Sequence, residues 1–476
     1  MNKKLMVFGI DGMDFEFVQN NFESLPFLNR LLTDNNNPRL RSVFPADTTP
    51  AWSTIYTGLD PSEHGIINFV NVGDKENKYK GFEFNDEAFK GKTFWDLIGE
   101  KGYKTTVIFP MNIKNGWETN GLFITRPYDG KISILPKEER NKYNPSVRIM
   151  QREMEYVSER KLKLVKKSFE DKFNEEYRVT KIALQNEKWD LFFSYFSTLD
   201  GIQHAFWRHC DYNHPNYPGH NKFENTIIDF YKKVDLMLEE FSSLYPNIPM
   251  LVISDHGHGA RPVWSARINE MLFREGYLFP NKTNESRGNK RTKSWIKKYC
   301  VAIVKKVGLP KFLKNLIKKT SLWKKVFVSS SDFDWSKTTA YLSDLSAMKN
   351  YSYGGIRVVK KDCENLDKYC DEIVKKLKKY RIDDDGTPAF SWIRRTNTLY
   401  KGKYLSKYPE IIFQLDERYG ANWELGDKIF EKKSLMYQFS PGAHRYETAY
   451  IGSKGFSLTK HQYEMTDVFH IILSMF

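Results

Sequence analysis

The sequence predicts an α/β fold: a mostly parallel central sheet with helices on both faces, carrying a helical insertion late in the chain. Three observations predict it. Short apolar runs alternate with helical patterns, several of those runs stop abruptly at an acidic residue, and "TFWDLIGEKGYKTTVIF" supplies a helix–glycine–strand step. Strands alternating with helices favour a sheet covered on both faces, with ligands bound beyond the carboxyl ends of its strands.

Taken in order, "LMVFGI" is a buried first strand that ends at Asp11. The lysines before it imitate a signal peptide, but the apolar run is short and no small-residue cleavage site follows, so the expectation is a cytoplasmic protein. "SLPFLNRLL" has the spacing of an amphipathic helix, and "FPADTTPAW" leads into a helix expected to start just after Thr48. Residues 130–185 are charged and predicted helical. "LFFSYFSTL" is a second buried strand ending at Asp200, "FENTIIDFYKKVDLMLEEF" a long helix, and "MLVIS" a third strand ending at Asp255. After an exposed linker, "NKTNESRGNKRT", two short basic amphipathic helices are expected between Ser294 and Lys325, split by "GLP". Beyond "SSSDFDW" the α/β character returns with "IRVV", the helix "LDKYCDEIVKKLKKY" and the strand-like "EIIFQL". The domain reading is therefore one catalytic body, 1–280 and 331–476, divided by a basic helical insertion at 281–330.

Composition narrows the class. The chain has 476 residues, of which 40% are hydrophobic and 15% aromatic, as expected for a large globular core. No apolar stretch reaches 18 residues, so no transmembrane helix is expected. Cys210, Cys300, Cys363 and Cys370 form no C-x-x-C pair, and four cysteines in so long a chain make no disulfide framework. The net charge of +15 is concentrated: residues 282–325 hold 15 Lys/Arg and one acidic residue, Glu285. The rest of the chain is close to neutral, which argues against a nucleic-acid-coating protein. Residues 294–325 are instead compatible with an anionic membrane surface, the bland reading being an apolar face packed on the body with solvated lysines.

The three strand-terminal aspartates bring metal-ligand chemistry to one edge of the sheet. Asp200 and His204 form D-x-x-x-H, four residues apart on one helical face. Asp255 and His256 sit in "SDHGHG", whose glycines suggest close backbone approach to a ligand, and His444 lies in the turn-rich "SPGAHRYE". Three carboxylates and three imidazoles form a mixed N/O set suited to zinc, manganese or iron. Taken singly, each residue has an ordinary alternative: a strand-terminal Asp caps the next helix, and a lone His is structural. His258 is read either as a contact to substrate phosphate or as structural. His209, His214 and His220 have the chemistry to bind another metal, but read rather as exposed residues of an irregular substrate-side loop.

Asp11, "TTPAWSTIYTGLDPSEHGI", "DGIQH", "SDHGHG" and "GAHR", in that order, resemble the alkaline phosphatase superfamily and, within it, the type I phosphodiesterase/nucleotide pyrophosphatase family. The nucleophile pattern of that family is met by Thr48, Pro50, Thr54, Thr57, Gly58, Pro61, His64, Gly65 and Ile66. The resemblance implies an alkaline phosphatase-like fold and two divalent metal ions, with Zn2+ expected ahead of Mn2+ or Fe. One ion would be held by Asp200, His204 and His444, the other by Asp11, Asp255, His256 and the Thr48 oxygen. It also implies a phosphoric ester hydrolase acting on a small phosphodiester or nucleotide through a phospho-threonine, with Thr48 the nucleophile and Thr49 a flanking residue.

One departure stands out. Ala51 occupies the position, three residues after the nucleophile, where nucleotide pyrophosphatases usually carry Asn; Lys114, Arg445 or a backbone amide are the candidates to replace it. A phosphomonoesterase is the near alternative. A phospho-head-group transferase acting on a lipid or glycan at the membrane surface would use the same site.

Overall fold

A computed structural model describes residues 3–68, 85–126, 132–143, 159–280, 333–346, 350–359, 365–382, 385–431 and 440–476. The insertion expected at 281–330, including the basic helices at 294–325, lies outside the described residues, as do Cys300 and Cys363.

Strand β1 (Leu5–Ile10) leads to helices α1 (Phe15–Asn20) and α2 (Pro26–Thr33), β2 (Arg39–Arg41), α3 (Thr48–Thr57) and α4 (Pro61–His64). Next come α5 (Phe94–Glu100), β3 (Thr105–Ile108), β4 (Gly121–Thr125), β5 (Ser133–Leu135), α6 (Arg140–Tyr143) and α7 (Glu159–Asn186). β6 (Leu191–Phe196), α8 (Thr198–Cys210), α9 (Thr226–Leu244) and β7 (Met250–Ile253) complete the first half. The second half holds β8 (Gly257–Ala260), β9 (Trp264–Arg267), α10 (Ile268–Arg274), β10 (Ala340–Leu342), β11 (Tyr353–Val358) and α11 (Leu366–Leu377). It continues through β12 (Phe390–Arg395), β13 (Ile411–Leu415), β14 (Tyr419–Asn422), β15 (Phe430–Glu431), β16 (Gly442–Arg445), β17 (Ile451–Lys454), β18 (Gln462–Glu464) and α12 (Met465–Ser474).

The central sheet has the order β17-β7-β1-β6-β3-β4-β5 among the described residues, with β7, β1, β6, β3 and β4 parallel and the two edge strands antiparallel. β1 pairs with β6 on one side and β7 on the other, so the chain segments leaving these three strands emerge side by side. That adjacency is what gathers Asp11, Asp200 and Asp255. Consecutive residues of a strand face opposite sides, and β1 shows both sides covered. Phe8 stacks on Phe241 of α9 at 5.5 Å, while a Cβ on Gly9 would lie 2.4 Å from the Trp52 ring of α3. Gly9 is thus the groove into which α3 seats, and Trp52, fully buried, anchors the helix that begins at Thr48.

Two expectations change. Residues 130–185 are not wholly helical: β5 closes one edge of the sheet before the 28-residue α7 begins. The later "IRVV" and "EIIFQL" segments do not extend the parallel sheet. They form a separate antiparallel sheet, β10-β11-β13-β12, with α11 and its own apolar cluster around Ile356, Ile373 and Phe413. A short apolar run is compatible with either environment, so periodicity could not separate them. No helix among the described residues is long and apolar enough to cross a membrane.

Helix α8, which carries Asp200 and His204, has no local side-chain cap at Ser197. The N-cap N–H and the hydroxyls of Ser197 and Thr198 are met instead by Glu176 of α7. Glu176 accepts from Ser197 N (3.3 Å), Ser197 Oγ (2.9 Å) and Thr198 Oγ1 (2.8 Å), and pairs with Arg126. Burial pushes this carboxyl upward, yet Arg126 and Lys172 outweigh it and hold it below the ordinary carboxylate range. Removing one partner of a buried, hydrogen-bonded ion pair strands the other charge. Glu176→Ala is therefore expected to lower folding stability by about 3–5 kcal/mol, measured by denaturant unfolding; a loss below about 1 kcal/mol, the range of surface pairs, would show that the pair is not needed to hold α8.

Candidate active site

α3 starts at Thr48 itself, with Asp47 as its N-cap accepting from Thr49 N at 3.4 Å. The two threonines separate at once. Thr48 is half-buried and its Oγ1 lies 3.2 Å from His256 Nε2, whereas Thr49 is fully buried and its hydroxyl has no hydrogen-bond partner among the described residues. The remaining motif residues build the scaffold for this helix. Thr54 Oγ1 meets His64 Nε2 at 3.1 Å, Pro61 opens α4 behind a capping box of Asp60 and Glu63, and Gly58 ends α3 in the left-handed conformation.

The ligand candidates converge. Asp200 Oδ1 lies 3.3 Å from His204 Nε2 and 3.4 Å from His444 Nε2, bringing the expected first triad together. His258 joins the same group, with its Nε2 3.4 Å from Asp200 Oδ1. A second group comprises Asp11, Asp200 and His256. Around His256 Nε2 stand Thr48 Oγ1 at 3.2 Å, Asp255 Oδ2 at 3.3 Å and Asp11 Oδ1 at 3.6 Å. Asp200 thus reaches both groups, rather than one as expected.

Backbone carbonyls orient three of the imidazoles. His204 Nδ1 faces Gly442 O (3.0 Å), His256 Nδ1 faces Gly257 O (3.0 Å) and His444 Nδ1 faces Ala46 O (2.9 Å). A carbonyl only accepts, so each neutral ring carries its proton on Nδ1 and presents the lone pair of Nε2 to the cluster.

Burial and mutual charge shift the titratable groups of the pocket. Burial, then repulsion from Asp255 and Asp200, pushes Asp11 well above the carboxylate range, and burial lifts Asp255 to about 8. Burial also lowers His204 and His256, and takes His258 down to about 4. Burial would raise Asp200 as well, but the surrounding histidines hold it well below its usual value. Burial depresses His444 too, but Tyr351, Asp200 and Asp47 outweigh it and bring it to about 9. Asp11 Oδ1, Asp200 Oδ1, Asp255 Oδ2 and both ring nitrogens of His258 are buried without a hydrogen-bond partner among the described residues. Buried carboxylate oxygens with no donor, facing imidazole lone pairs, fit divalent cations of the zinc, manganese and iron class.

Several side chains went unread in the sequence. Tyr195 donates to Asp11 Oδ2, and Ser440 Oγ lies 3.3 Å from His204 Nδ1; neither has a sequence signal, because both act through the fold. The glycines flanking His258 serve packing rather than a ligand. A Cβ on Gly257 would lie 2.0 Å from Thr448 Oγ1, and one on Gly259 2.2 Å from Arg445 Nε. His209 and His214 are buried, correcting the expectation of exposed residues; His220 is exposed and paired with Glu224. Of the side-chain candidates to replace the absent Asn, Arg445 pairs with Glu16 and Glu417, and Lys114 donates its backbone N–H to Asp86. Ala51 itself is fully buried, and its N–H donates to Asp47 O. Beside His444 opens a cavity of about 200 Å³ walled by Tyr353, Trp392, Arg445 and Tyr446.

Comparison with known proteins identifies a family and a fold. The family model for type I phosphodiesterase / nucleotide pyrophosphatase matches residues 5–419. Human ectonucleotide pyrophosphatase/phosphodiesterase family member 1 is 32% identical over 154 residues, which cover 28% of this chain and 16% of that protein. Rat family member 3 is 30% identical over 155 residues, covering 29% of this chain and 18% of the relative. The chain thus spans less than a fifth of the length of these relatives. The structure of phosphonoacetate hydrolase from Sinorhizobium meliloti 1021 in complex with phosphonoformate superimposes with a TM-score of 0.56 at 12% identity, covering 100% of this chain and 96% of that one, a likeness of fold.

Proposed function

The chain belongs to the type I phosphodiesterase / nucleotide pyrophosphatase family, and from that premise we propose that it is a metal-dependent phosphoric ester hydrolase that attacks through Thr48. The observation that carries this reading is the placement of the Thr48 hydroxyl 3.2 Å from His256 Nε2, at the first residue of α3 and against a cluster of buried, unpartnered carboxylate oxygens. Two divalent ions, zinc before manganese or iron, would be held by Asp200, His204 and His444 and by Asp11, Asp255, His256 and Thr48. Bound there, they would supply the positive charge that makes a threonine hydroxyl acidic and neutralises the phosphoryl oxygens.

The chain's own groups do the rest. Thr48 Oγ attacks phosphorus and the ester oxygen departs with its alcohol, taking up a proton. Water then attacks the phospho-threonine, restoring the hydroxyl and releasing the phosphate product. At the start of α3, Pro50 has no N–H, which leaves the Thr48 and Thr49 amides as the donors nearest Oγ1; the Thr49 amide is engaged only weakly by Asp47. The aromatic walls of the cavity beside His444 suit an organic substituent on the phosphate, which favours a small diester or nucleotide over a bare phosphate monoester.

A panel of mono- and diesters assayed on the metal-loaded protein tests the reading. Diester hydrolysis well above monoester hydrolysis is expected. Faster monoester turnover would reassign the substrate class, and no turnover of either would remove the hydrolase assignment.

A further inference from the structure

We infer that His258 is a fourth protein donor to the ion held by Asp200, His204 and His444. The inference rests on the metal-dependent reading above and adds a residue to it.

Strand pairing places the ring. In the antiparallel β8–β16 ladder His258 stands directly opposite His444, and residues directly opposite each other project to the same face. The His258 backbone is fixed by its N–H to Asp14 Oδ2 at 3.1 Å, and its ring stacks on Trp207 at 5.5 Å and meets His204 edge-on at 4.6 Å. The side chain is fully buried; Nδ1 has no hydrogen-bond partner among the described residues, and Nε2 has the 3.4 Å contact to Asp200 Oδ1. An imidazole in that position needs a partner, and its Nε2 points at Asp200 Oδ1.

The distances fit one centre. Donors about 2.0–2.2 Å from a tetrahedral zinc are separated by about 3.3–3.6 Å along the edges of the tetrahedron. Asp200 Oδ1 is 3.3 Å from His204, 3.4 Å from His444 and 3.4 Å from His258, each measured to Nε2. The His204–His444 edge is shorter, 2.9 Å, and all four donor atoms lie within 4.8 Å of one another. With His258 added this ion would have four protein donors, and expansion to five-coordinate would still admit one oxygen of the reacting phosphate. Unlike the other three imidazoles, His258 has no carbonyl on Nδ1, so packing against Trp207 orients its ring.

Proton NMR of the protein reconstituted with two Co2+ reads the ligands directly. Four hyperfine-shifted imidazole N–H resonances are expected, from His204, His256, His258 and His444, falling to three in His258→Gln. Chelator competition should show one Co2+ lost from His258→Gln at an affinity at least about tenfold weaker, with the other unchanged. Three shifted imidazoles in the unsubstituted protein, a count that needs no variant to fold, would overturn the assignment and leave the metal reading standing. Failure of the unsubstituted protein to bind Co2+ at all would instead overturn the metal reading, and this inference with it.

Discussion

Thr48→Ala is expected to lower phosphoester turnover by at least about 10³-fold in kcat, the scale on which covalent catalysis fails when its nucleophile is removed. Metal content should be little changed, because the carboxylates and imidazoles of both groups remain. Thr48→Ser keeps a hydroxyl at the same Cβ and should retain part of the activity. Thr49→Ala should be far milder in kcat, since Thr49 is fully buried and its hydroxyl has no hydrogen-bond partner among the described residues. Acid quenching during turnover, followed by peptide mass analysis, should place a phosphoryl group on Thr48 in the unsubstituted protein and nowhere in Thr48→Ala. Turnover of Thr48→Ala within tenfold of the unsubstituted protein would overturn the nucleophile assignment. Phosphoryl transfer to Thr49 would do the same, and would show that α3 presents its first turn differently.

Removal of metal is expected to abolish activity and to destabilise the fold together. Three carboxylates, Asp11, Asp200 and Asp255, are brought together in one pocket, and burial, with repulsion from Asp255 and Asp200, already drives Asp11 upward. Without cations the pocket must take up protons or bear unpaired charge, and either alternative costs folding energy. Binding to the native state alone contributes RT ln(1 + [L]/Kd), about 4 kcal/mol for each ion at a thousandfold excess over its Kd. Chelated protein should therefore melt at a lower temperature, and added zinc or manganese should restore both melting temperature and turnover. Full activity in a preparation shown by elemental analysis to be free of metal would refute the metal-dependent reading.

Much of the site was legible before any tertiary contact was considered. Apolar runs stopping at Asp11 and Asp255 announced buried strands with acids just past their carboxyl ends. The strand expected to run to Asp200 instead ends at Phe196, and Asp200 is the third residue of α8. D-x-x-x-H places it and His204 on one helical face through helix geometry alone. The order and spacing of the threonine, aspartate and histidine motifs carried the family resemblance, which the match over residues 5–419 shows. These signals are local, each set by residues within a few positions of one another.

What stayed hidden depends on contacts between distant segments. Nothing near Ser197 in sequence shows that α8 is capped by Glu176, more than one element away. The glycines of "GHG" looked like room for a ligand, but the space they leave is filled by Thr448 and Arg445 from the last quarter of the chain. His258 was read as a phosphate contact or a structural residue; only the β8–β16 register sets it opposite His444 and aims it at Asp200. Even the two threonines of "FPADTTPAW", adjacent in sequence, are told apart in space by the packing of Trp52 on Gly9, which fixes the roll of α3. The sequence by itself determined which chemical groups are present and which face of its own helix or end of its own strand each occupies, because those follow from local backbone periodicity. The tertiary structure alone decided which of them share a pocket and which nitrogen or oxygen of each faces inward, because that is set by strand order, register and the burial of side chains far apart in the chain.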